Sequence, residues 1–315
     1  MTAEQIIGAF EIEAFVVFVI VGAIVVRDSR REGRLTLLGT LFVGGLAVAV
    51  FGDPVANWGL TALYSDEFHL LPRWMGWGLS PAQSWACVFA YPWCFPMLAY
   101  VGRWVARRAG FTSPLAGFVA GGLFGFLNFV LSVPLTFVPH QVIVYQQAPP
   151  WPLTLRAGDP AQVQLLDVLG ISMFVGLFAA ALMPGPGESR FERWLPASSR
   201  GRAAMGAALL LGTFLACFSP ALAVRGLGLD TQVAFTKSPF PTVPLYGQVE
   251  AYPPQVVENY LRACVAKGGD TRLCQCSIDA VRRRFTIDEY RTIETRITKG
   301  ELPRELLAAV DDCRY

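Results

Sequence analysis

The sequence predicts an all-α fold: a polytopic membrane bundle of about six transmembrane helices, followed by a small, disulfide-stapled α-helical extracytoplasmic domain. Three observations carry this expectation. Hydrophobic residues make up 53% of the chain and charged ones 16%, a balance outside the usual range of soluble domains. Six stretches, near 7–26, 36–52, 84–102, 113–138, 164–183 and 203–224, are long and apolar, and a bilayer core takes about 20 helical residues to cross. Four of the seven cysteines fall from residue 264 onward, in a region of quite different composition.

Taken in order, the first span has no Lys or Arg ahead of Arg27, whereas a cleavable signal peptide carries charge before its apolar run. It is therefore expected to stay. The second is short and runs into "FGDPVANWGL", residues 51–60. Asp-Pro is a frequent turn starter, so the span either ends at Asp53 or continues past it. The third contains "AYPWCFP", with Pro92 and Pro96 predicting a kink and freed carbonyls that need polar partners. Gly117, Gly121 and Gly125 stripe the fourth span, with Gly122 beside them, so that a neighbour can approach closely. Asp167 opens the fifth, and the sixth ends near 224.

Basic residues orient these spans. Arg27, Arg30, Arg31 and Arg34, then Arg103, Arg107 and Arg108, then Arg190, Arg193, Arg200 and Arg202 mark one side. The loops on the other side, 53–83 and 139–163, hold only Arg73 and Arg156. Positive charge stays in the cytoplasm, so both termini are expected outside. Trp58, Trp74, Trp77, Trp85, Trp93 and Trp151 gather in or near the outer loops, as a belt or as the lining of a cleft for a bulky apolar ligand.

Three regions follow: residues 1–225 in the membrane, a Pro-rich linker at 226–252 expected to run extended over the surface, and a tail at 253–315. The tail carries amphipathic patterns in "VVENYLRACVAK", "DTRLCQCSIDAVRRRF" and "TIDEYRTIETRITKG". The third has a capping box from Thr286 and Glu289 and a stop at Gly300; "PRELLAAVDDC" adds a last turn or two. Cys264, Cys274, Cys276 and Cys313 match no common zinc spacing, and the tail has no histidine. So small a domain needs staples, and two disulfides are expected. Cys274 and Cys276 are too close to bridge each other, so each pairs with Cys264 or Cys313; the order stays open. Cys87, Cys94 and Cys217 read as small apolar fillers.

A net charge of +2 gives no support to nucleic-acid binding. No soluble-enzyme signature, nucleotide fingerprint or metal motif is present, and neither a metal nor another cofactor is expected. Polar residues that border the spans carry the remaining information, because charge is costly there. Glu11 and Glu13 lie at the outer end of the first span, Asp53 and Asn57 at that of the second, and Asp167 at that of the fifth. His140 follows the fourth span outside, and Asn128 lies deeper within it. Acids crowded in a partly apolar mouth raise one another's proton affinity, which is what a general acid needs.

Asp53 and Glu13 are the candidate catalytic pair, with Asn57, Asn128, His140 and Asp167 as substrate-binding candidates. Glu11 is expected to point away from Glu13. The structural alternatives are a helix cap for Asp53, an interhelical amide bond for Asn128 and a solvated ring for His140.

With "DPVAN" closing the second span and "WACVFAYPWCFPMLAYVG" forming the third, the chain resembles the AveC-type spirocyclase family over about residues 10–225. These are actinobacterial polytopic membrane proteins named for a member that dehydrates and spirocyclises a polyketide. The resemblance implies a functional position for Asp53 and Asn57; the cysteine-rich tail is not part of that pattern. Two expectations follow. One is a membrane-embedded cyclase or dehydratase that uses acid–base chemistry on a lipophilic small-molecule substrate, polyketide-like or lipid. The other is a non-enzymatic cell-envelope protein that binds or passes membrane lipids and docks a protein partner through its C-terminal domain.

Overall fold

A computed structural model describes residues 2–315 except 73–78, 82, 186, 188, 236–237, 241–242, 244, 247–251, 286, 300, 302, 304–305, 308–312 and 314–315. The chain is mostly helical, and several helices are apolar. The first, α1 (Ala3–Glu32), is bounded by its own side chains: Thr2 and Gln5 form a capping box, and Gly33 closes it with φ of 67°. Next come α2 (Leu37–Ala47), a π-helical turn (Val48–Gly52) and α3 (Asp53–Leu60), stacked into one rod. Then follow α4 (Trp85–Arg108) and α5 (Pro114–Ser132), the latter extended by a second π-helical turn (Val133–Phe137). α6 (Leu165–Ala181), the short α7 (Arg190–Trp194) and α8 (Ser199–Gly226) complete the set. Among the described residues, α1, the Leu37–Leu60 rod, α4, the Pro114–Phe137 rod and α8 are long and apolar enough to cross a membrane. At 17 residues, α6 is shorter.

Three features differ from the sequence expectation. First, the loops are not all-α. β1 (Ala62–Tyr64) pairs antiparallel with β2 (Ile143–Tyr145), and β3 (Gln147–Ala148) with β6 (Gln232–Val233). β4 (Thr154–Leu155) pairs with β5 (Val163–Gln164). Ladders of two or three residues leave no period-2 pattern to read. Second, the Asp53–Pro54 step does not end a helix, as described below. Third, the linker does not stay on the surface. Phe240, Val243, Leu245 and Tyr246 are buried in a hydrophobic cluster with Ile7, Leu63, Phe68 and Val144.

Close helix contact follows the small residues. A Cβ on Gly117 would come within 2.6 Å of Met183, and one on Gly121 would overlap Ala179, so the stripe presses α5 onto α6. On its other side Gly121 meets Gly102 of α4. Pro92 and Pro96 both lie inside α4, which continues through them. Trp85 and Trp151 are exposed, Trp93 is half-buried, and Trp74 and Trp77 lie outside the described residues.

The tail forms α9 (Pro254–Ala266), α10 (Thr271–Arg284) and α11 (Ile287–Thr298) around Tyr252, Ile278, Val281, Phe285, Tyr290 and Ile293. Asp270 caps α10 by accepting from the N–H groups of Arg272 and Leu273. Thr286 and Gly300, the expected start and stop of the third helix, and most of "PRELLAAVDDC" lie outside the described residues. The disulfides are Cys264–Cys274 and Cys276–Cys313, with separations of 10 and 37 residues. Mass spectrometry of non-reduced protein should recover these two linked peptide pairs. Closing loops of this size stabilises by about 3 kcal/mol and about 4 kcal/mol on the chain-entropy account, so reduction should loosen the tail first. Four free thiols would contradict the arrangement.

Candidate functional site

Pro54 shapes the site. A proline inside a helix has no N–H to donate, and its ring crowds the carbonyl one turn back. The chain accommodates it by widening one turn, so the Asp53 N–H reaches back to Val48 O instead of Ala49 O. Ala49 O is thereby released, and the side chain of Gln83 donates to it at 2.8 Å. The rod continues to Leu60 with Asp53 in its interior, so Asp53 is neither an end cap nor a turn residue.

Asp53 is 2% exposed and accepts three hydrogen bonds. The Tyr91 hydroxyl donates to Oδ1 at 2.5 Å; the amides of Asn57 and Gln83 donate to Oδ2 at 3.0 and 3.2 Å. Asn57 lies four residues on, hence on the same helix face. None of the ion pairs among the described residues includes Asp53. Behind it, the Cys87 thiol donates to the Tyr64 hydroxyl at 3.4 Å. Burial, followed by the nearby Asp53 charge, pushes the Tyr64 phenol well above its ordinary range.

A second carboxyl–phenol pair stands at the start of α6. The Tyr145 hydroxyl donates to Asp167 Oδ2 at 2.6 Å. Burial and then the Asp167 charge push the Tyr145 phenol well above its usual value, so it stays a neutral donor. Tyr145 is held by β2, and its carbonyl accepts from Gln162 at 2.8 Å.

Both pairs line one cavity of about 740 Å³, together with Asn57, Glu13, Asn128 and His140. That volume suits a ligand of drug size or larger. Glu13, Asn128 and His140 have exposed side chains and form the mouth. His140 Nδ1 lies 2.7 Å from Thr136 O, which fixes the proton on Nδ1 and leaves Nε2 an acceptor in the neutral ring. Glu13 is not among the hydrogen-bond partners of Asp53. The second acid within electrostatic range of Asp53 is Asp167. Glu11 binds His69, accepting from its backbone N–H and from Nδ1, both at 2.8 Å. No three His, Cys, Asp or Glu side chains converge to hold a metal among the described residues.

The linker packs over the end of α3. The Tyr246 hydroxyl lies 2.9 Å from both Asn57 O and Ala62 O, and Gln146 Nε2 donates to Tyr246 O. Tyr91, Gln83, Tyr145 and Tyr246 are absent from the candidates read from sequence. Tyr91 had one signal, its place before Pro92 in the aromatic run of the third span. A tyrosine or glutamine in a loop carries no local mark of what it faces.

A family model described as Spirocyclase AveC-like matches residues 32–245. The chain belongs to the AveC-like spirocyclase family. That membership points to a polyketide-processing role. The AveC-like match begins at Glu32, the last residue of α1, and ends at Leu245 within the linker, later at both ends than the resemblance read from sequence. Asp53, Tyr91, Tyr145 and Asp167 lie inside the AveC-like region, whereas Glu13 and the disulfide tail lie outside it. No curated protein and no solved structure matches the chain.

Proposed function

We propose that this AveC-like protein is a six-span membrane enzyme that closes a ketal ring on a lipophilic, polyketide-like hydroxy ketone by acid–base catalysis. The observation that carries this reading is the pair of carboxyl–phenol units, Asp53–Tyr91 and Asp167–Tyr145, on the wall of one cavity. In its acid form Asp53 delivers a proton through the Tyr91 hydroxyl to the departing hydroxyl of a hemiketal, which leaves as water. The second substrate hydroxyl attacks the oxocarbenium carbon, and Asp167 takes the proton it loses. One molecule of water is released, and proton exchange with solvent resets the two acids. Asn57 and Gln83 keep Asp53 aimed at Tyr91. Incubating purified protein with a dihydroxy-ketone probe should yield a product one water lighter. An unchanged probe, bound and released intact, would leave the cavity as a lipid-binding site. That second reading is favoured by the tail, which has its own core and disulfides and suits docking.

The membrane reading rests on which surfaces are apolar. Ile12, Phe15, Val19 and Ile20 of α1, and Leu115, Val119, Leu123 and Leu131 of α5, are all exposed, as lipid-facing positions are. Strands that follow α3, α5 and α8 pair with one another, which requires those three helix ends to share one side. The sparsely charged loops thus lie together, and the positive-inside rule makes that side outer. Two disulfides fit an oxidising compartment. Single-cysteine labelling should find residues 28–34 protected in intact cells and residue 288, whose side chain is exposed on α11, reactive; a protected residue 288 would reverse the orientation. A lipophilic substrate reaches an outward cavity through the bilayer, past Met97, Leu131 and Leu135, which are exposed and line the mouth.

A further inference from the structure

A second cavity, of about 670 Å³, lies at the opposite end of the helices. It is walled by the end of α1 (Asp28, Arg31, Glu32), the connection to α2 (Arg34, Thr36), Tyr100 of α4, Glu192 and Arg193 of α7, and Arg202 of α8. At its base Arg202 is 8% exposed. Its guanidinium is built in: Nε donates to Pro196 O at 2.9 Å, and a terminal nitrogen donates to Leu35 O at 3.1 Å. Carbonyls orient a cation without neutralising it; Glu32 and Glu192 act on Arg202 through space only, and no ion pair among the described residues includes it. A buried charge without a contacting counter-ion is costly.

The acids of the same wall form no ion pair with Arg202. Asp28 pairs with Arg27 at 2.7 Å, and Glu32 sits 3.9 Å from Arg34. Glu192 Oε2 accepts from Gly187 N and Ser189 Oγ. Arg31 and Arg34 reach the cavity from an exposed position. Beside it, Arg103 stacks over Tyr100 at 4.8 Å and holds one terminal nitrogen buried without a partner. Several guanidiniums around a polar hollow match the oxygens of a phosphate, which they bind in forked pairs. In the proposed topology, this hollow lies at the headgroup level of the inner leaflet, where basic pockets between helices take anionic lipids.

We propose that this inner cavity is a phosphate-ester site, filled by the headgroup of an anionic glycerophospholipid, and distinct from the outer cavity. The phosphate seats on Arg202, with Arg31 and Arg34 closing over it, and Leu37 and Leu38 meet the apolar part of the molecule. The lipid source rests on the membrane reading; the phosphate chemistry does not.

Full-length protein, delipidated in neutral detergent, would be titrated with short-chain phosphatidylglycerol, short-chain phosphatidylcholine and inorganic phosphate. Phosphatidylglycerol should bind saturably, at least tenfold tighter than phosphatidylcholine. The double variant Arg31→Gln/Arg34→Gln should lose at least tenfold in affinity while its ligand-free melting temperature stays the same. Its side chains are exposed, so this variant avoids the folding risk of changing Arg202. Competition by inorganic phosphate would support recognition of the phosphate itself. Phosphate binding as tightly as the lipid would support the site and assign it to a free phosphate ester. No saturable binding by either, or binding indifferent to the double variant, would overturn the proposal. Asp53→Asn should bind phosphatidylglycerol like the parent protein, so a failure of the catalytic reading leaves this measurement intact.

Discussion

Asp53→Asn should lower turnover by roughly 10²–10⁴, the range that loss of a general acid produces, while the protein still folds. The surroundings make this substitution interpretable. Asp53 Oδ2 accepts from Asn57 and Gln83, and Oδ1 accepts from Tyr91. An asparagine can leave its oxygen on the two amides and turn its NH2 toward Tyr91, whose hydroxyl oxygen accepts. The Tyr91 proton then swings into the cavity, and no buried group loses its partner. Stability should therefore fall by no more than about 1–3 kcal/mol, the cost of one impaired buried bond. What the variant cannot do is hold and release a proton. Product formation, measured at equal amounts of folded protein, is the readout. Near-normal turnover would remove Asp53 from the mechanism and leave the lipid-binding reading in front. Tyr91→Phe and Asp167→Asn should each reduce turnover too, and Glu13→Gln tests the acid that lies at the mouth outside the AveC-like region.

Gly45→Ala should damage both stability and activity through a single added methyl group. A Cβ at Gly45 would lie 2.6 Å from the Cα of Pro92 and 2.8 Å from the carbonyl oxygen of Tyr91. Both are backbone atoms of α4 and cannot rotate aside. Overpacking of this kind costs about 1–3 kcal/mol, and the helices must part to relieve it. Tyr91 is the residue pushed, and it carries the shortest bond to Asp53. A displacement of about 1 Å at a catalytic group can cost on the order of 10²-fold in rate. Gly212→Ala is the control: it lies on α8 with nothing within 4 Å of its Cβ, so it should be silent or slightly stabilising. Equal melting temperatures and equal turnover for the two variants would mean that α2 and α4 do not meet at Gly45.

The helices were legible because their signals are long or local. An apolar run of about 20 residues is visible without knowing its neighbours, and all six stretches coincide with helices. Caps such as Thr2, Ser113 and Asp270 involve residues two or three apart. The glycine stripe on α5 announced close packing, and α6 is what it meets. Four cysteines in a tail with too small a core announced two disulfides. Which cysteine meets which was a matter of chain path, and so only the folded tail decided it.

The site divides along the same line. Sequence by itself marked Asp53, Asn57, Asp167, His140, Asn128 and Glu13, because a charge or amide beside an apolar span is costly and therefore stands out. It left open whether the second helix ends at Asp53 or continues, since Asp-Pro reads as a turn unless Gln83, a distant residue in sequence, satisfies the carbonyl that Pro54 releases. The same isolation left the linker looking like a surface strap, although Tyr246 anchors on Asn57 and Ala62. Only the tertiary structure decided that the six polar residues share one cavity, that the partners of the acids are Tyr91 and Tyr145, and that Asp167 is the second acid in range of Asp53. A phenol becomes a proton relay by standing within hydrogen-bond reach of a buried acid, and that relation between distant residues is absent from either residue's neighbours in sequence.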